Sequence, residues 1–205
     1  IDQQAAKEHG VMVGNTPNAF TVPVAESVLG YMLNFVRQLP WLDDEMRDGQ
    51  WNKSIARTLS ECTLGVIGVG NVGKAVLRRA RAFGMKLLGN DIVEIAPDFL
   101  VEYGVEMTSL EDLMQRSDFI SVNCTLNPTS YHLINAHSLG FCKPGAVIIN
   151  AARGPVVDEK DLVLPHPEMH NRSFVLVPLN QVAPGWVHPL LHRSVSEMAR
   201  QVPGE

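Results

Sequence analysis

An α/β fold built on a doubly wound parallel sheet is what this sequence predicts, and three observations predict it. Short apolar runs alternate with segments of helical period through the middle of the chain. One run ends in the glycine-rich turn Gly68-Val-Gly70-Asn-Val-Gly73, and the next ends in an acidic residue, Asp91. Strands separated by helices run parallel, because each helix carries the chain back to the edge where the next strand starts. With 205 residues, 45% hydrophobic and 19% charged, the chain has the apolar material for a real core, as one large domain or two small ones.

The elements follow in order. Residues 1–10 carry a short helical pattern that stops at Gly10, and 11–13 read as a brief strand before the turn-rich Gly14-Asn-Thr-Pro-Asn18. A long helix is expected over about 22–39, with Pro23 tolerated in its first turn. Its Val24, Val28, Leu29, Met32, Leu33, Phe35, Val36 and Leu39 cover more than one stripe. That predicts burial on several sides, by its own domain or by a second subunit. Pro40 ends it, 41–51 reads as a second, more polar helix, and 52–60 as a polar connector. Strands are then expected at 63–68, 85–91, 105–107, 119–123 and 146–150, with helices over 71–83 and 135–141. Another helix starts after Ser109, which can cap it, with Asp112 at the acidic third position.

Composition removes several classes of function. No apolar run is long enough for a membrane helix, and the start lacks the basic-then-apolar layout of a secretory signal. A net charge of −5 leaves no broad basic face, so neither membrane nor nucleic acid is an expected partner. Cys62, Cys124 and Cys142 are widely spaced and form no C-x-x-C pattern, which predicts reduced thiols in a cytoplasmic setting.

The glycine turn carries the chemistry. Gly68 permits the tight turn, Gly70 lets the backbone approach a pyrophosphate, and Gly73 lets the helix pack closely on the strand. The amides of Asn71 and Val72 then face the phosphates at a helix N-terminus. Asp91 can accept hydrogen bonds from both ribose hydroxyls, and its charge repels a 2′-phosphate, so the expected cofactor is NAD rather than NADP. Gly68 to Lys74 also fits the first seven positions of a nucleoside triphosphate loop. That loop needs Ser or Thr next for magnesium, and Ala75 stands there.

These residues resemble the D-isomer-specific 2-hydroxyacid dehydrogenases over about 1–163. The markers are Asn15-Thr-Pro-Asn18, Val24-Ala-Glu26, Gly49-Gln-Trp51, the stretch 64–73, Phe83-Gly-Met85, Ser109-Leu-Glu-Asp-Leu113, Ser117-Asp-Phe-Ile-Ser121, Lys143-Pro-Gly-Ala146, Ile149-Asn-Ala-Ala-Arg-Gly154 and Val157-Asp-Glu159. The resemblance implies a Rossmann-type NAD-binding domain inserted into a substrate domain, and hydride exchange between the nicotinamide and a 2-hydroxy or 2-oxo acid. It implies that Arg153 clamps the substrate carboxylate and carbonyl, a task its planar fork suits. By the same resemblance Cys124 lines the adenine-ribose side of the cofactor, Ala151 and Ala152 line the nicotinamide side, and the helices at 22–51 form the arm of a homodimer. An Arg-Gly pair after a buried strand also lies where such sheets bind ligands.

The resemblance implies a histidine that exchanges the substrate proton and a glutamate that holds it charged. After Val163 the pattern stops, and neither is matched. His188 and His192 qualify by residue type alone; His166 and His170 are four apart, but Pro167 and the missing third ligand argue against a metal site, and none is expected. The expected organisation is a junction remnant plus arm helices at 1–60, the NAD-binding core at 61–163 and a divergent tail at 164–205. Because family members carry more chain ahead of the match and Ile1 stands where a methionine would, the expectation is a truncated chain that binds NAD with little or no turnover. Two alternatives stay open: an NAD-responsive dimeric binding module, like the family's co-repressor members, or an inactive isoform.

Overall fold

The computed structural model describes residues 3–14, 16, 18–53, 57–158, 185, 187 and 193–200. Its strands are β1 (Thr63–Ile67), β2 (Lys86–Asn90), β3 (Val105–Met107), β4 (Phe119–Val122) and β5 (Val147–Asn150). Its helices are α1 (Gln3–Glu8), α2 (Thr21–Arg37), α3 (Leu39–Arg47), α4 (Asn71–Ala82), α5 (Pro97–Tyr103), α6 (Leu110–Arg116), α7 (Ala136–Leu139) and α8 (Val195–Ala199). The strands pair in parallel in the order β3-β2-β1-β4-β5. The chain leaves β1 in one direction to build β2 and β3, then returns past it to build β4 and β5. This reversal puts a topological switch point between β1 and β4.

The sheet is buried on both faces because its strands send alternate side chains to two cores. Leu64, Val66, Leu87, Phe119 and Ile149 pack with α2, α4 and Phe99 of α5. Ile67, Leu88, Ile120 and Val122 pack with Leu113 and Met114 of α6 and with Ile134. One face of α2, formed by Ala25, Val28, Leu29, Met32 and Val36, is thus part of the cofactor-domain core, and Glu26 pairs with Arg79 of α4 at 3.2 Å. Its other face leaves Tyr31 and Phe35 exposed. Ser109 caps α6 as expected, accepting the Asp112 amide; the Asp112 carboxylate instead takes Thr108 Oγ1 and Arg116.

Three expectations are revised. Residues 11–13 form no ladder and Met12 is 98% exposed, since no strand stands beside them among the described residues. The second helix begins at Leu39 because Pro40 fits its first turn, and the break falls instead at Gln38, held in the left-handed region at φ 55°. Helix α5 was not anticipated, although Pro97 at its start and Gly104, left-handed at its end, are the usual punctuation of a short helix. In the tail, Ser194 and Glu197 form a capping box on α8, whose Val195 and Met198 are buried. The predicted boundary at 164 and His166, His170, His188 and His192 lie outside the described residues.

Asp118 fastens the amino-terminal edge of the sheet. It accepts the Thr63 amide at 2.8 Å, Lys143 at 3.3 Å and Arg57 at 3.5 Å. Burial alone would raise its pKa, but the amide and the two cations outweigh that and hold it below the usual carboxylate range. A carboxyl depressed in the folded state stabilises above its unfolded pKa, and the contribution is lost as pH falls through the folded value. Asp118→Asn is therefore expected to cost about 1 kcal/mol at neutral pH, with the gap to wild type closing in urea melts as the pH is lowered below 4.

Candidate cofactor site

The candidate residues gather at the carboxyl ends of four strands. Asp91 follows β2, Gly68 follows β1, Cys124 lies just past β4, and Ala151, Ala152 and Arg153 follow β5. Neighbouring strands are about 4.8 Å apart, so this row spans about 14 Å from β2 to β5. An extended dinucleotide can lie along such an edge.

Two glycines make the edge possible. Gly68 sits at φ +87°, and a Cβ there would come within 2.6 Å of the Cys124 backbone nitrogen. A Cβ on Gly73 would run into the carbonyl oxygen of Gly68. Any larger residue would push β1 away from β4 or α4 away from its strand. Asn123 donates its amide to Ile67 O at 2.7 Å, and Gly68 donates to Asn90 O at 2.8 Å, so the turn is tied to both neighbouring strands. Gly70 is the N-cap residue of α4 and supplies no capping side chain. The first turn of a twelve-residue helix, including Asn71 and Val72, therefore presents its amides and its positive dipole end to whatever occupies the edge.

Asp91 is held by two backbone amides. One carboxylate oxygen accepts the Val69 amide at 2.6 Å and the other accepts the Val93 amide at 3.1 Å. Each oxygen keeps a lone pair for a further donor. Beside it opens a cavity of about 320 Å³, lined among others by Gly68, Gly70, Asp91, Ile92, Val93 and Cys124. That volume lies in the range of small-ligand pockets. Burial pushes the Cys124 thiol above its usual pKa, and the charge of Asp91 adds to the shift, so the thiol is neutral near pH 7.

The structure thus brings Gly68, Gly70, Asp91 and Cys124 around one cavity, with Asn71, Val72 and Gly73 on the adjoining helix turn. Ala151, Ala152 and Arg153 do not line that cavity; they lie one strand further along the edge. Their loop is built by Asn150, whose side chain accepts the Ala152 amide at 3.0 Å and donates to Arg153 O at 3.1 Å. The exposed Arg153 guanidinium bonds to Ala152 O at 2.9 Å. Farther on, His132 donates its amide to Pro155 O at 3.0 Å and pairs with Asp158 at 3.2 Å, clamping the end of the same loop.

Sequence reasoning missed the cavity wall after β4. Asn127 accepts the amides of Thr129 and Ser130 at 2.9 and 3.2 Å, and Ser130 Oγ returns to Thr125 O at 2.7 Å. The signal was present in Asn127-Pro-Thr-Ser130, a run of turn-forming residues at a strand end. The triphosphate-loop alternative finds no support in the placement of its residues. Lys74 Nζ lies 5.5 Å from the Phe99 ring, and Ala75 is buried in the core.

Residues 29–172 match the family model described as D-isomer specific 2-hydroxyacid dehydrogenase, NAD binding domain. D-3-phosphoglycerate dehydrogenase of Rattus norvegicus is 38% identical over 165 residues, covering 80% of this chain and 31% of that protein. Hydroxypyruvate reductase of Thermotoga maritima is 40% identical over 164 residues, covering 79% and 52%. Among solved structures, D-lactate dehydrogenase from Aquifex aeolicus, complexed with NAD and lactic acid, superposes with a TM-score of 0.73 at 35% identity, covering 79% of this chain and 49% of that one. The chain spans 31% to 52% of the length of these relatives.

Gly68→Ala is expected to destabilise the protein by about 2–3 kcal/mol through the positive φ and the clash with Cys124. Chemical denaturation checks it, and a loss under about 0.5 kcal/mol, the scatter of a surface change, would contradict the packing described.

Proposed function

The chain belongs to the D-isomer specific 2-hydroxyacid dehydrogenase family through that family's NAD-binding domain, and from that premise we propose how its residues hold the cofactor and what the 205-residue chain does. The observation that carries the reading is the convergence of Gly68, Gly70 and a pre-oriented Asp91 on one cavity at the switch point. The adenosine half fits the cavity beside Cys124, with the ribose hydroxyls on Asp91. The pyrophosphate meets the amides of Asn71 and Val72, with Gly73 keeping that turn close to β1. The nicotinamide end runs toward Ala151 and Ala152. The fit rests on two features of the protein itself: an uncapped helix N-terminus, and open space in front of Gly70, where a Cβ would meet nothing within 4 Å.

When bound, NAD supplies hydride exchange with the C2 carbon of a 2-hydroxy or 2-oxo acid. The chain's own contribution is positional and electrostatic. Arg153, at the end of β5, holds the substrate carboxylate and polarises the oxygen on C2, a role that suits a guanidinium with no carboxylate partner among the described residues. The family's acid-base histidine and its glutamate partner have no match in this chain. An acid-base group is worth on the order of 10²–10⁴ in rate. The 205-residue chain by itself therefore binds NAD and turns over short 2-oxo acids little or not at all.

We also propose that the chain pairs with a second copy of itself through the outward face of α2 and α3. Tyr31, Phe35, Leu39 and Met46 there are all about half exposed or more, an apolar set that a partner helix would cover. A cytoplasmic setting agrees with three free cysteines and with the lack, among the described residues, of a helix able to cross a membrane.

NADH fluorescence is expected to change saturably on titration with the protein, without oxidation of NADH when short 2-oxo acids are added. No binding at millimolar NADH overturns the reading. Asp91→Ala is expected to narrow the preference for NAD over NADP by about tenfold, and an unchanged ratio would remove the ribose assignment. Tyr31→Glu should shift sedimentation from dimer to monomer; a wild-type chain that sediments as a monomer contradicts the pairing.

A further inference from the structure

The segment before α2 reaches the cofactor turn. Asn71 Nδ2, on the first residue of α4, donates to Asn18 Oδ1 at 2.8 Å, across 53 residues of sequence. Both side chains are exposed. One hydrogen bond between two side-chain amides uses one of their four N–H donors and leaves three of them free for a further acceptor, whichever way the two amides are turned. Those spare donors stand beside a helix N-terminus that no side chain caps, with open space in front of Gly70. Side-chain N–H donors that stand beside unpaired helix amides at a positive dipole end can close on an anion held there.

Resting on the cofactor reading above, we propose that Asn18 is a further contact of the dinucleotide's diphosphate. The Asn18–Asn71 amide pair extends the α4 N-terminus into a wider cradle, so that the diphosphate is held from two sides, by the glycine turn and by the segment that leads into α2. A surface amide pair acting only as a structural tie has no reason to sense the ligand's charge. A diphosphate contact does, and that difference makes the proposal testable.

The experiment is calorimetric titration of the 205-residue chain and its Asn18→Asp and Asn18→Ala variants with NADH, ADP-ribose and adenosine, after checking that melting temperatures agree. Asn18→Asp places a carboxylate beside the diphosphate, so the Kd of NADH and of ADP-ribose should rise about tenfold or more. Asn18→Ala should raise them only a few-fold, and adenosine, which has no phosphate, should bind all three proteins equally. Equal weakening of adenosine and ADP-ribose would reduce Asn18 to a structural tie and overturn the proposal. So would ADP-ribose binding unchanged by Asn18→Asp. Wild-type protein that binds none of the three would instead overturn the cofactor reading on which it rests.

Discussion

The carboxyl edge of the sheet depends on how closely the Gly68 turn approaches the backbone of Cys124. The turn holds a positive φ, and its Cα faces the next strand's exit with no room for a side chain. Because the contact is backbone against backbone, it sets the distance between β1 and β4 more rigidly than side-chain packing would. The carbonyl of Gly68 in turn bears on Gly73, which fixes α4 against β1. One turn thus sets three placements: where the cavity opens, where the α4 amides point, and how near Asp91 lies to both through its bond to Val69.

Electrostatics at this edge divides along its length. At the α4 N-terminus the groups are donors and a dipole end, suited to phosphate. At the β2 end the Asp91 carboxylate accepts two backbone amides and has acceptor capacity left for further donors. At the β5 end stands an exposed guanidinium on a loop that Asn150 and His132 fasten from either side. A dinucleotide with a carboxylate-bearing substrate beyond it presents the matching sequence of groups: hydroxyls, diphosphate, an uncharged ring carboxamide, then a carboxylate. The opposite edge of the sheet has no such polarity; its ions, centred on Asp118, satisfy one another.

Much of this was legible in the sequence because the constraints are local. A strand of alternating destination, a turn that tolerates only glycine and a capped helix each leave a signature within a few residues, and all five strands fall where periodicity puts them. What was not legible depends on partners distant in the chain. The valines and methionine at 11–13 have strand character, but strand identity comes from a neighbour. Helix α2 reads as too apolar for one face, and only packing shows that Ala25, Val28 and Met32 belong to the core while Tyr31 faces outward and Phe35 sits half exposed against Phe119. The run that ends at Asn18 announces a turn but not its bond to Asn71, which exists only once α2 has docked on α4. The wall after β4 could have been read, because Asn127 and its successors announce a turn.

An adenosine half of NAD seated between Asp91 and Cys124, as proposed, would shield one of the three cysteines from alkylation. Cys62 is buried, Cys142 is partly exposed outside the cavity, and Cys124 lies in the cavity wall. At mildly alkaline pH, saturating NADH should slow iodoacetamide labelling of Cys124 about tenfold or more by mass action and leave Cys142 unchanged. Equal labelling of Cys124 with and without NADH, under conditions where NADH is bound, would place the adenosine half elsewhere.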